Sequence, residues 1–195
     1  MEPPDTRSRI LGATMPVFAA RGYAGSTTRA LADAAGVNVA TLAWHFGGKR
    51  GLYEAVLDRM YEELLALEIP KDLPQDPEER VRLLVRLVWG FMRERRDNVR
   101  LLKRHVLDRD RLPEAVRDKW TAALLARAQE LTAALGIRGD IRMALLDMNH
   151  LIARYAISDA DDLVLFVEGD PIDAIGAHLE ERAVQLLLAD APGPV

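Results

Sequence analysis

Two short runs concentrate the side chains able to do chemistry: Thr27-Thr28-Arg29, and the stretch Ala35 to Lys49, AGVNVATLAWHFGGK, which holds Asn38, Thr41, Trp44, His45 and Lys49. Thr27 and Thr28 at a helix start can aim hydroxyls and backbone N–H groups at phosphate oxygens, and Arg29 can reach a phosphate or the two acceptors of a guanine edge. Asn38, Val39, Ala40 and Thr41 follow in the second run. Their small side chains allow close approach, and Val39 or the Thr41 methyl can touch a thymine methyl. A helix as brief as the second run allows is not stable alone, so neighbours must hold it, and its outward residues are free to serve something other than folding.

Other chemistries lack their residues. The chain has no cysteine, which removes disulfides, thiolate nucleophiles and thiolate metal sites, although not a metal held by His and carboxylates. There is no Gly-rich phosphate loop, no pair of His one helical turn apart with a Glu, and no nucleophile elbow; the serines are Ser8, Ser26 and Ser158. The expectation is a protein that is not an enzyme and holds no cofactor or metal.

The 195 residues are 49% hydrophobic and 29% charged, an ordinary composition for one domain or two small ones. No run approaches the roughly eighteen apolar residues of a spanning helix, and the N-terminus lacks a basic region followed by an apolar core, so the expected location is the cytoplasm with no membrane partner. The net charge of -4 is unevenly spread: residues 1–60 hold seven Lys and Arg against five Asp and Glu, a small excess that makes the N-terminal third the better polyanion binder.

The elements that must position these residues read as helices throughout. Ile10, Ala13, Thr14, Val17 and Phe18 repeat at helical spacing up to Arg21-Gly22, with Pro16 inside and a bend expected there. Ser26-Thr27-Thr28 supplies a hydroxyl cap for a second helix, Arg29 to Ala35, and Gly36 a sharp turn. A short helix from about Val39 to Phe46 buries Leu42 and Phe46. A longer one from Lys49 to about Leu67 buries Leu52, Val56, Met60 and Leu64, and Pro70, Pro74 and Pro77 then mark a linker. Beyond it, Val81, Leu84, Val85, Val88, Phe91 and Met92 form one apolar stripe. Further helices follow from Asn98 to Leu107, from Pro113 to Gly136, over Ile141 to Tyr155, and over Ile172 to Leu186. Leu163 to Val167 could pass for a strand but has no partner, so it reads as a helical or irregular connection.

A helix, a Gly-containing turn and a second short helix form the helix-turn-helix arrangement, in which the second helix enters the DNA major groove and the first braces it. Ala32 supplies the small crossing residue, Gly36 the turn and Leu42 the apolar anchor. With its flanks Phe18-Ala-Ala-Arg-Gly-Tyr23, Thr27-Thr28-Arg29-Ala-Leu31-Ala32 and Thr41-Leu42-Ala43-Trp44-His45-Phe46-Gly-Gly-Lys49, the segment over roughly residues 8 to 60 strongly resembles the N-terminal domain of the tetracycline-repressor (TetR) family. The resemblance implies an all-helical homodimer joined through its last two helices. It also implies a three-helix reading head, and a C-terminal domain in which a small molecule changes the separation of the two heads and releases DNA. Trp44 and His45 match the family's phosphate-contacting pair, and Lys49 its usual backbone anchor. Ala43 departs from the pattern: the family usually has Tyr there, so one expected contact is missing and no relative's target sequence carries over.

The expected division is 1–48 as the helix-turn-helix DNA-binding domain and 49–195 as a helical ligand-binding and dimerisation domain. For the ligand, Trp89, Met92, Trp120 and Tyr155 are candidates to line a cavity, Asn149 and His150 to orient the molecule, and Arg104 or His105 to hold an anionic inducer; core packing and a solvated basic face are the plainer alternatives. Gly176 would let another helix approach closely, which fits an interface. The function expected is a ligand-responsive transcriptional regulator, a repressor, that binds a palindromic operator in double-stranded DNA. An architectural DNA-binding protein that senses nothing, and an all-helical enzyme or carrier that kept a helix-turn-helix for packing, stay open.

Overall fold

The computed structural model describes residues 5–107, 114–137 and 141–188, and every element assigned among them is helical. In chain order these are α1 (Thr6–Gly25), α2 (Thr28–Ala35), α3 (Val39–Phe46), α4 (Lys49–Leu65), α5 (Pro77–Glu94), α6 (Arg96–Leu107), α7 (Glu114–Leu135), α8 (Arg142–Ala156), α9 (Ala160–Leu163) and α10 (Pro171–Leu188). None of the described helices is long and apolar enough to cross a membrane. The chain forms two compact units, one built on α1–α4 and α6, the other on α5, α8, α9 and α10; α7 is divided between them.

In the first unit, the starts of α1, α2 and α3 are each set by a side chain that satisfies an otherwise orphaned N–H group, whereas α4 starts at Gly48 without a side-chain cap. Asp5 accepts from the Ser8 amide at 2.7 Å, Thr27 from the Ala30 amide at 3.1 Å, and Asn38 from the Thr41 amide at 2.7 Å. Helix α1 runs through Pro16, and the only residue inside it with non-helical backbone angles is Gly22, at φ 70 and ψ 178. The distortion therefore lies at the glycine rather than at the proline, and the helical hydrogen bonding resumes to Gly25. Ile10, Phe18, Leu31, Leu42, Leu52, Val56, Leu57, Met60 and Leu101 are completely buried in this unit. Thr14, placed by its spacing on the same stripe, is buried because its hydroxyl donates to the Ile10 carbonyl at 2.8 Å.

The second unit is organised around Val81, Leu84, Val85, Trp89, Met148, Ile152, Ile175, Leu179 and Ala183, with Leu135 from the end of α7. Pro77, expected as part of a linker, opens α5 beside the capping Asp76, and Arg80 fixes what precedes it by donating to the carbonyls of Pro74 at 2.8 Å and Gln75 at 2.9 Å. Two ion pairs, Arg82–Glu181 at 2.9 Å and Arg86–Glu180 at 2.6 Å, tie α5 to α10. Gly176 corrects its expectation: a Cβ there would stand 3.3 Å from the Trp89 indole nitrogen, so the close approach it permits is to α5 of the same chain. The apolar run after α9 is no strand. It turns, leaving Leu165 and Phe166 exposed.

Candidate nucleic-acid interface

The geometry of the second run begins at its turn. Gly36 takes the left-handed conformation, φ 63 and ψ 34, while its N–H and that of Val37 return to carbonyls of α2, so the chain reverses within three residues. Helix α3 then lies with Leu42 completely buried and Phe46 nearly so. The joint to α4 is closer still. A Cβ at Gly51 would stand 2.0 Å from the Phe46 carbonyl oxygen, so the end of α3 packs backbone against backbone on the first turn of α4. Three glycines within Gly47-Gly48-Lys49-Arg50-Gly51 were the signal for this contact.

Held in this way, α3 turns Val39, Ala40, Ala43 and Trp44 outward. Trp44 is 81% exposed, which rules out core packing as its role, and its ring meets His45 edge-on at 4.6 Å. Asn38 and Thr41 are not both free for base edges, because the Thr41 hydroxyl also donates to Asn38 Oδ1, at 3.0 Å. The Asn38 amide group keeps its donors. Thr27 and Arg29 are exposed and Thr28 half-buried at the start of α2. Lys49 at the head of α4 places its ammonium 4.2 Å above the Tyr23 ring. The ten residues thus lie in one unit, at the starts of α2 and α4 and along α3.

An open groove between α1 and α4 of the same unit is lined by Arg7, Asp58, Arg59, Glu62 and Glu63, an acid-rich set unsuited to a polyanion. Among the described residues no group of three or more His, Asp or Glu could hold a metal ion.

The ligand candidates are distributed over both units. In the second, Trp89 is buried in the core, with Met92 and Tyr155 packed against it, whereas Asn149 and His150 are exposed on α8. In the first, Arg104 is half-buried and His105 is buried, its Nδ1 3.2 Å from the Tyr53 hydroxyl. The Trp120 side chain lies outside the described residues. Another set stands in the second unit: Arg93 and Arg96 belong to a locally basic run of the sequence, whereas nothing in composition or spacing marked Arg127. Arg93 Nη1, Arg96 Nε, and Arg127 Nε and Nη2 are buried with no hydrogen-bond acceptor among the described residues. Arg93 stacks 5.6 Å over the Trp89 ring, and Arg127 has its remaining nitrogen paired to Glu130.

Residues 10–56 match the family described as bacterial regulatory proteins, tetR family. The HTH-type transcriptional repressor NicS of Pseudomonas putida is 31% identical over 87 residues, 44% of this chain and 41% of NicS. The chain therefore spans less than half the length of that relative. Two solved structures share the fold at low identity. A transcriptional regulator of Rhodococcus is 19% identical with a TM-score of 0.71, over 97% of this chain and all of the other. The TetR family transcriptional regulator PfmR of Thermus thermophilus is 20% identical with a TM-score of 0.66, over 92% and 97%.

Proposed function

We propose that this chain, whose residues 10–56 match the tetR family of bacterial regulatory proteins, is a transcriptional repressor that binds DNA as a homodimer and is released by a small-molecule effector. One observation carries the DNA reading: α3 buries Leu42 and Phe46 while Trp44, at its outer side, is 81% exposed. A short helix anchored on one face with an aromatic and a His on the other suits entry into the major groove, with Trp44, His45 and Lys49 against the phosphates and Val39, Ala40 and Thr41 towards base edges. The similarity to NicS, a repressor by name, supports repression.

Two copies related by a two-fold axis require two half-sites, so the target is an inverted repeat. Selection of bound DNA from a random library tests this directly. Enrichment of one inverted repeat is the expected result; DNA bound without sequence preference would favour an architectural role, and no enrichment at all would overturn DNA binding.

The effector is an anion. Buried guanidinium N–H groups without acceptors cost stability until a carboxylate or phosphate meets them, and Arg93 and Arg127 of the second unit offer groups that have no acceptor among the described residues. The same selection, repeated with panels of carboxylates, phosphates and neutral analogues, should lose its inverted repeat in the presence of an anion.

A further inference from the structure

We infer that Tyr23, Tyr53 and His105 form a positioning device for the Lys49 ammonium, through which the place of α6 sets how well the head of α4 meets a phosphate. The inference rests on the DNA-binding reading above and adds residues to it. Gly22 breaks the helical run of α1, and the next residue, Tyr23, lays its ring against α4. There Lys49 and Tyr53, four residues apart and so on one face of the helix, both meet that ring: Lys49 Nζ stands 4.2 Å from its centroid, and the Tyr53 ring centroid is 5.0 Å away.

Tyr53 is itself held from three sides. Phe18 meets its ring edge-on at 4.9 Å, Tyr23 covers another side, and its hydroxyl lies 3.2 Å from Nδ1 of His105 on α6, a bond either partner can donate according to the imidazole tautomer. Both Tyr53 and His105 are buried. The device is reinforced one end further along, where Asn98, also on α6 and buried, donates to Glu63 of α4 at 2.7 Å. Helix α6 is thus latched to α4 at two points, and the nearer latch ends at Tyr53, whose ring packs against the Tyr23 ring under Lys49.

A lysine side chain is long and freely rotating, so most of its freedom is lost when it meets a phosphate. A ring that holds the ammonium near its bound position beforehand lowers that loss, and the attraction of a cation for an aromatic face supplies the hold. The phenol hydroxyl of Tyr23 has no part in this; the ring does.

The experiment is a set of binding titrations of the full chain on its selected DNA, made in the parent and in a Lys49→Ala background. Tyr23→Phe should bind as the parent does, whereas Tyr23→Leu should bind about twofold to fivefold more weakly. Tyr53→Phe and His105→Leu, which cut the latch to α6, should weaken binding by about twofold to tenfold. In the Lys49→Ala background all these losses should vanish, because their route runs through Lys49. Losses of equal size in both backgrounds would mean a general packing role and overturn the inference, as would the absence of any loss in the parent. Melting curves identify a variant that fails to fold, and the Tyr23 pair, at a half-buried position, then decides. A parent that selects no DNA would instead overturn the DNA-binding reading itself.

Discussion

Lys49 and Arg29 carry the same charge but are expected to report differently. Lys49→Ala removes a phosphate contact, so binding should weaken for every DNA sequence and the slope of log affinity against log salt should shrink by about one unit per protomer. Arg29→Ala should cost about 1–3 kcal/mol and relax preference at one base position, visible as one column of a selected motif. If both variants bind as the parent does, those assignments are wrong. Arg127 is the opposite case. Its side chain is only 18% exposed and two of its nitrogens lack acceptors among the described residues, so Arg127→Met should leave the melting temperature unchanged or raise it, while abolishing release of DNA by an anion. These residues differed in how readable they were. Thr27, Asn38 and the outward Trp44 could be named from type and spacing, because caps and turns are local. The burial of Arg127, and the ring of Tyr23 under Lys49, depend on which helices pack together and left no mark in the sequence.

Helices α3 and α4 are joined by a contact that leaves no space for a methyl group. Alanine in place of a helical glycine ordinarily gains roughly 0.5–1 kcal/mol. Gly51→Ala should instead lower the unfolding free energy and impair DNA binding, because the Phe46 carbonyl oxygen stands 2.0 Å from the added carbon. Calorimetry that recorded a gain in stability would refute the close packing. Leu42→Ala should cost about 2–5 kcal/mol by opening a cavity beneath α3, measurable by denaturant unfolding. Most helices were legible from their periodicity: α3 was expected over about Val39 to Phe46, which is its span, and α4 ends at Leu65, two residues short of expectation. Gly176 was read as an interface residue because a small side chain advertises a close neighbour without saying which; that neighbour is Trp89.

For the molecule as a whole, the proposed homodimer needs an apolar surface that the single chain leaves uncovered. The long C-terminal helices α8 and α10 are the expected elements, and α8 keeps Met143 67% and Leu146 44% exposed on its outer side. Leu146→Glu should shift the protein towards monomer in sedimentation and weaken binding to an inverted repeat far more than to a single half-site. Wild-type sedimentation as a monomer at high concentration would exclude the dimer. The grouping of α6 with α1–α4 was not legible from sequence, since the reading head ended naturally at the last recognised motif residue. The hydrogen bonds that join Asn98 and His105 to α4, and the burial of Leu101, bring that later helix in.

Val39, Ala40 and Ala43 stand outward on α3, while the residues that hold the helix, Leu42 and Phe46, point the other way. Folding and reading are therefore written in separate letters of the same eight-residue word. Substitutions at the three outward positions leave the core intact, so this helix can drift, or be redesigned, towards new target sequences without first acquiring compensating mutations. Ala43, exposed beside Trp44, is one such position.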